Sequence, residues 1–348
     1  MSQPDYGFFS RLVHRIVLGP RFIGQTVFDL EEMSAGRDTS IAVSRPVFIA
    51  GLARSGSTIL LNALHQTGLY RSLTYRDMPF VLMSGTWKRL ATRSRIDKAA
   101  KERAHGDRLL VDYDSPEAFE EVFWRTLYGE KYITNERVVP HNPPKSVRRN
   151  FSRFVHHVIA SRTHEQQNRY LSKNNNNLLR LPAIKRTFPD ALIIVPFRDP
   201  LQQAMSLLRQ HELFSERHAH DKFSMDYMNW LGHYEFGLGR KHYAYSEASN
   251  PHSPMDINYW LQGWHDAYKY ALQKAPQDTV FIGYEQLCQA PETFFLSLFS
   301  RLGLDTAGAA TAASFYEQAH PHPTQIRPDE LTAACEQIHS SLLERAAL

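Results

Sequence analysis

The chain has 348 residues, 43% apolar and 22% charged, with a formal net charge of +4, which gives it the length for one large α/β domain or two smaller ones and the balance of an ordinary globular protein. So small a charge gives no argument for a nucleic-acid partner, and no run of about 18 residues is apolar enough to be a transmembrane segment. The two cysteines, Cys288 and Cys335, form no C-x-x-C and could make at most one disulfide, so a reducing, cytoplasmic setting is expected.

Residues 1–44 read as an N-terminal helical segment. In MSQPDYGFFSRLVHRIVLGPRFIG, His14 and Arg15 interrupt the apolar run after Leu12 and Val13, and Pro20 ends it. That is no signal-peptide core; it is a short amphipathic helix, expected to pack on the protein's own body, with peripheral contact to a membrane surface as the other reading. RPVFIAG at 45–51 is a compact apolar run ending in glycine, a buried strand, after which Ile59, Leu60, Ala63 and Leu64 keep helical spacing up to Gly68. Residues 115–128 and 147–167 read as helices, and RYLSK at 169–173 as a short strand. ALIIVPF at 191–197 and TVFIGY at 279–284 are further strands, each leading into a helix. Such alternation predicts an α/β fold of three layers, a central parallel sheet with helices on both faces. The stretch from about 212 to 275, rich in His, Tyr and Trp, reads as a helical insertion over that sheet, so that 45–348 forms one domain.

GLARSGSTIL, at 51–60, has the G-x-x-x-x-G spacing of a phosphate loop and lies between a strand and a helix. A helix N-terminus offers an anion free N–H groups and the positive end of the dipole. Where a Walker motif has lysine after the second glycine, Ser57 and Thr58 stand here, and the basic residue is Arg54, two places before Gly56. A second basic–hydroxyl pair lies at Arg198 and Ser206, one at a strand end and one eight residues on in the next helix. Both could reach a phosphate over the carboxyl edge of the sheet, where open α/β sheets bind ligands. Together the segments imply a nucleotide carrying two separate anionic groups.

The pair ARSGST and FRDPLQQAMS resembles the two signature segments of sulfotransferases that use 3′-phosphoadenosine 5′-phosphosulfate (PAPS). The first, roughly P-[KR]-[ST]-G-[ST]-[ST] in that family, is matched by Arg54, Ser55, Gly56, Ser57 and Thr58, with Ala53 in place of the usual proline. The second, an arginine and a serine eight residues on, is matched by Arg198 and Ser206. Tyr284-Glu285-Gln286-Leu287 resembles the family's YE-x-L segment, whose tyrosine lies near the adenine. The resemblance spans residues 45–302 and implies PAPS as co-substrate with no metal, a P-loop-like fold, and a small-molecule or glycan acceptor, a carbohydrate or glycolipid hydroxyl being the expectation. It puts Arg54 beside the leaving oxygen and Lys173 where cytosolic members have the lysine of K-x-H. Asn175 replaces that motif's histidine base and cannot take a proton.

With the base vacant, Asp77 in SLTYRDMPF is the first candidate, because other branches use a carboxylate after the first helix; its competing role is a helix cap. His105 and Asp107 come second, and Glu120 and Glu121 are expected to be salt-bridged. The His218–His220 and His156–His157 groups have no third ligand at recognisable spacing, so no metal site is expected. Trp230, Tyr234, Trp260 and Trp264 are either core or a stacking wall for a sugar, core being favoured, and Arg327 is a residue that could close over the nucleotide. The rival readings are a P-loop kinase, with Asp199 as its metal-binding aspartate, and a nucleotide-binding protein that has lost catalysis.

Overall fold

Five short apolar strands set the architecture: β1 (Val47–Ile49), β2 (Tyr70–Arg71), β3 (Arg169–Lys173), β4 (Leu192–Phe197) and β5 (Val280–Gly283). All are parallel, in the order β2-β3-β1-β4-β5. The computed structural model describes residues 8–34, 43–91, 101–102, 110–111, 114–247, 250–314, 316 and 330–346. Period-two alternation distributes the strand side chains between two layers. Val47, Ile49, Ile194 and Ile282 pack with helices Ser57–His65 and Pro291–Leu302, while Phe48, Ile193, Val195 and Phe281 face helices Lys145–Ala160, Pro200–His220 and Ile257–Lys274. The chain leaves β1 for the edge strand β2, returns through β3 beside β1, and then crosses to β4 on β1's other side. That reversal opens a crevice at the carboxyl ends of β3, β1 and β4.

No sequence signal marks β2, which is two residues long and carries no alternation. The helix expected at 115–128 begins only at Glu121. Upstream of it, Pro116 bridges Thr74 and the Glu117 amide donates to Leu73 O at 3.1 Å, so the backbone is committed to an extended pairing there. Trp260, Trp264 and Tyr234 are buried and Trp230 is half-buried; Trp264 Nε1 donates to Gln203 Oε1 at 3.0 Å. Those rings therefore serve the core.

One polar network crosses this apolar interior. Arg180 and Glu121 are fully buried, and Arg180 Nη2 donates to both Glu121 carboxylate oxygens at 2.8 Å. Burial opposes the charge on Arg180, but Glu121, Tyr132 and Glu120 more than offset it, so its pKa is raised. Glu120 accepts from Tyr170 OH at 3.0 Å, Asn177 Nδ2 at 3.0 Å and Trp124 Nε1 at 3.2 Å. Asn174 Nδ2 donates to Glu121 Oε2 at 2.8 Å, and Asn176 Nδ2 to Gly232 O at 3.0 Å. The asparagine run 174–177 is thus a hydrogen-bonding strip that fixes the chain after β3.

Removing one member of a buried ion pair strands the other's charge, which costs about 3–5 kcal/mol. Arg180→Met should lower the urea unfolding free energy by that amount, and adding Glu121→Leu should recover a large part of it. Equal stability of Arg180→Met and the parent would contradict this role.

Candidate active site

The carboxyl ends of four strands converge on one cleft that opens to solvent. After β1 comes the loop with Arg54, Gly56, Ser57 and Thr58; Lys173 and Asn175 come from the end of β3, Arg198 from β4 and Tyr284 from β5. Glu117 lies on a further wall, and Met228, His233, Glu235 and Phe236 of the long connection between β4 and β5 complete the lining.

The loop's shape follows from two residues in the left-handed region, Arg54 at φ +68° and Gly56 at φ +82°. Gly56 has a second constraint: a Cβ there would lie 2.6 Å from Tyr284 Cδ2. Ser55 Oγ donates to Leu52 O at 2.8 Å and closes the turn. No side chain caps the helix that starts at Ser57, so its first turn faces the cleft with its N–H groups and dipole uncovered.

Helix Pro200–His220 clamps this loop from the side. Gln203 Nε2 donates to Ala53 O at 2.9 Å, and Arg54 Nε donates to Ser206 Oγ at 2.9 Å. The two segments singled out in the sequence therefore meet side chain to side chain. Arg198 lies with its Cζ 5.0 Å from the centre of the Tyr284 ring and its Nε 3.5 Å from Glu285 Oε1. That Nε is buried and makes no hydrogen bond, its neighbour being the Glu285 carboxylate. Burial pushes the Tyr284 phenol up to about 12, with Cys288 adding to the shift, and burial also raises the Glu285 carboxyl against the opposing backbone hydrogen bonds. Asp199 caps its helix by accepting from Gln202 N at 2.9 Å, which is a structural role.

The structure separates Asp77 from this group. Arg71 Nη2 donates to Asp77 Oδ1 at 2.5 Å, and Thr74 donates to Oδ2 from its amide at 2.8 Å and its hydroxyl at 3.3 Å. Asp77 is the acid of a capping box, buried, and not part of the cleft lining. Lys173 is buried and lines the cleft. His105, Asp107 and Arg327 lie outside the described residues. His218 and His157 have structural partners: His218 Nδ1 accepts from Leu238 N at 3.2 Å, and His157 Nε2 pairs with Glu32 at 2.6 Å. Among the described residues no three His, Cys, Asp or Glu side chains are grouped to hold a metal.

Three titratable groups lining the cleft went unread in the sequence. Asn175 Nδ2 donates to Glu235 Oε1 at 2.7 Å. His233 Nε2 meets Ala118 O at 2.8 Å; a carbonyl only accepts, so Nε2 carries a proton and Nδ1 is the acceptor of the neutral ring. Glu117 accepts from Ala118 N at 2.9 Å and Tyr75 OH at 3.3 Å. A signal existed in His-Tyr-Glu-Phe at 233–236: Tyr234 and Phe236 are buried, and the polar residues alternate with them.

A family model described as "Sulfotransferase family" matches residues 46–308. The chain belongs to the sulfotransferase family, which assigns it to the transferases. Among solved structures, the sulfotransferase STF9 from Mycobacterium avium is 14% identical with a TM-score of 0.52, over 99% of this chain and 87% of that one. Sulfotransferase STF1 from Mycobacterium tuberculosis H37Rv is 13% identical with a TM-score of 0.47, over 99% and 88%. The first of these shares the fold. None of the curated proteins compared matches the chain. No helix among the described residues is long and apolar enough to cross a membrane.

Proposed function

We propose that the protein transfers a sulfuryl group from PAPS to a hydroxyl acceptor of carbohydrate or glycolipid type. The observation that carries this reading is the contact of Arg54 Nε with Ser206 Oγ at 2.9 Å, which joins the two anion-binding segments into one site. Arg54, Ser55, Gly56, Ser57 and Thr58 would hold the 5′-phosphosulfate at the uncapped helix start, Arg198 and Ser206 the 3′-phosphate, and Tyr284 the adenine side. Arg198 lines the cleft beside Tyr284, where its guanidinium fits such an anion. Three cations of the chain, Arg54, Lys173 and Arg198, line the cleft, so nucleotide binding is expected to need no magnesium. Phe236 beside His233 and Glu235 gives an apolar face next to hydrogen-bonding groups, which suits a sugar ring.

PAPS supplies a sulfur whose bond to the phosphate oxygen breaks as the acceptor oxygen attacks. The chain's task is to position the partners, stabilise charge and remove the hydroxyl proton. Arg54 and Lys173 supply positive charge. For the proton we assign Glu235. Asn175 occupies the family's histidine position, and its amide holds one oxygen of Glu235, while the other oxygen has no partner among the described residues. Glu117 has both oxygens engaged. Asn175 positions the base in place of being one.

If Arg198 grips the 3′-phosphate, Arg198→Ala should weaken 3′-phosphoadenosine 5′-phosphate by about 1.5–3 kcal/mol in magnesium-free calorimetry and leave adenosine 5′-phosphosulfate nearly unaffected. Equal losses for both ligands would make Arg198 structural, and tighter binding of ATP with magnesium would favour a kinase.

With octyl glucoside as the hydroxyl probe, Glu235→Gln should cut nucleotide release from PAPS by about 10²–10⁴-fold with nucleotide affinity unchanged. Asp77→Asn should retain turnover in the fraction that stays folded. Normal turnover in Glu235→Gln together with its loss in His233→Phe would move the base to His233 Nδ1.

A further inference from the structure

The first helix, Phe8–Leu18, is mounted inside out. A surface helix normally turns its apolar stripe to the core. Here the buried residues are His14 and Leu18, while Phe8, Phe9, Leu12 and Ile16 are 42–86% exposed. At 100° per residue those four fall on one contiguous arc, opposite His14. The helix that follows, Arg21–Ser34, buries Val27, Phe28 and Glu31 and leaves Phe22, Leu30 and Met33 50–80% exposed. The hairpin is held in this pose: Arg125 donates to Leu18 O at 2.9 Å and Gly19 O at 3.0 Å, and the His14 ring packs 5.7 Å from Tyr227. Burial lowers the His14 pKa, so it sits against the body as a neutral ring.

We infer that this outward apolar face docks the protein on an anionic lipid surface. Charge selects the partner. The first helix has no acidic residue, and Arg11 and Arg15 lie along one edge of its apolar arc, Arg11 with its Nη1 3.6 Å from Asp221 Oδ1. Arg15 is exposed and makes no ion pair among the described residues. In the second helix Glu31 accepts from Gly85 N at 2.9 Å and Thr86 N at 3.1 Å, and Glu32 is paired with Arg153 and His157 at 2.6 Å. Those two charges are spent inside the protein, and the remaining acid of that helix is the exposed Asp29, so the apolar face has its basic edge on the first helix, the pattern of an interfacial helix. A two-fold pairing of the first helix with a second copy would bring the exposed Arg15 edges together with no acid on that helix to meet them.

Vesicle flotation of the full chain tests this independently of the proposed reaction. The protein should float with vesicles of phosphatidylcholine mixed with phosphatidylglycerol, more weakly with phosphatidylcholine alone, and less as salt rises. Leu12→Ser with Ile16→Ser should lower that partition by at least ~10-fold at an unchanged melting temperature. Arg15→Glu should bring mixed vesicles toward the neutral-vesicle level. Protein that stays soluble with both vesicle types overturns the inference, as does undiminished flotation of the double variant. A wild-type dimer in light scattering that the same substitutions dissolve would make the face a contact between copies and overturn the lipid assignment.

Discussion

The buried Glu121–Arg180 pair is the constraint on which the rest of the site depends. Two charges with no exposed surface are tolerated only where each is neutralised and hydrogen-bonded. Tyr132 and Asn174 donate to Glu121 and Asn177 to the adjacent Glu120, while the Arg180 guanidinium lies over the Trp124 and Tyr132 rings. Asn174 and Asn177 belong to the segment whose Lys173 and Asn175 line the cleft. Satisfying the pair therefore fixes the backbone just after β3, and with it Lys173 on one side and Asn175 on the other. The same strip reaches the opposite wall through Asn176, whose amide donates to Gly232 O at 3.0 Å and whose carbonyl accepts from Tyr243 OH at 2.8 Å. A hydrogen-bonded interior thus sets the distance between the sheet edge and the connection that carries His233 and Glu235.

The loop after β1 is held by a different device. Its two left-handed residues store strain of about 1–3 kcal/mol at Arg54, which lacks glycine's freedom. Contacts that over-determine the loop keep it there: Gln203 on the Ala53 carbonyl, Ser206 on Arg54 and the Tyr284 ring against Gly56. Two come from the helix that follows β4 and one from the end of β5. Under the proposed reading this explains the missing Walker lysine. Arg54 does not reach along the loop toward a triphosphate; it turns toward the helix that bears the second anion site, so the two halves of one nucleotide site are tied together before any ligand arrives.

Local chemistry was legible in the sequence and long-range assembly was not. Apolar runs ending in glycine or Arg-Asp-Pro located β1, β4 and β5, and RYLSK matched β3 at residues 169–173, because buried parallel strands need continuous apolar stretches. The loop and the Arg198–Ser206 spacing could be read because a basic residue at a strand end and a hydroxyl about two turns into the following helix lie close together in the sequence. Asp77 was ambiguous for a physical reason: a carboxylate two residues before proline serves equally as cap or base until its neighbours are known, and Arg71 and Thr74 occupy both its oxygens. Glu235 was invisible as an acid because its partner, Asn175, is 60 residues away. The first helix had the right amphipathic pattern, but periodicity gives the existence of an apolar face and not the direction in which it is mounted.

The most direct test of a single site built from two anion-binding segments is a crystal structure with 3′-phosphoadenosine 5′-phosphate bound. The account predicts the 5′-phosphate against the backbone of Gly56, Ser57 and Thr58, the 3′-phosphate against Arg198 and Ser206, and the adenine beside Tyr284, with the unpaired oxygen of Glu235 facing the space next to Lys173. Density for the nucleotide outside this cleft, or with its 3′-phosphate away from Arg198 and Ser206, would contradict it.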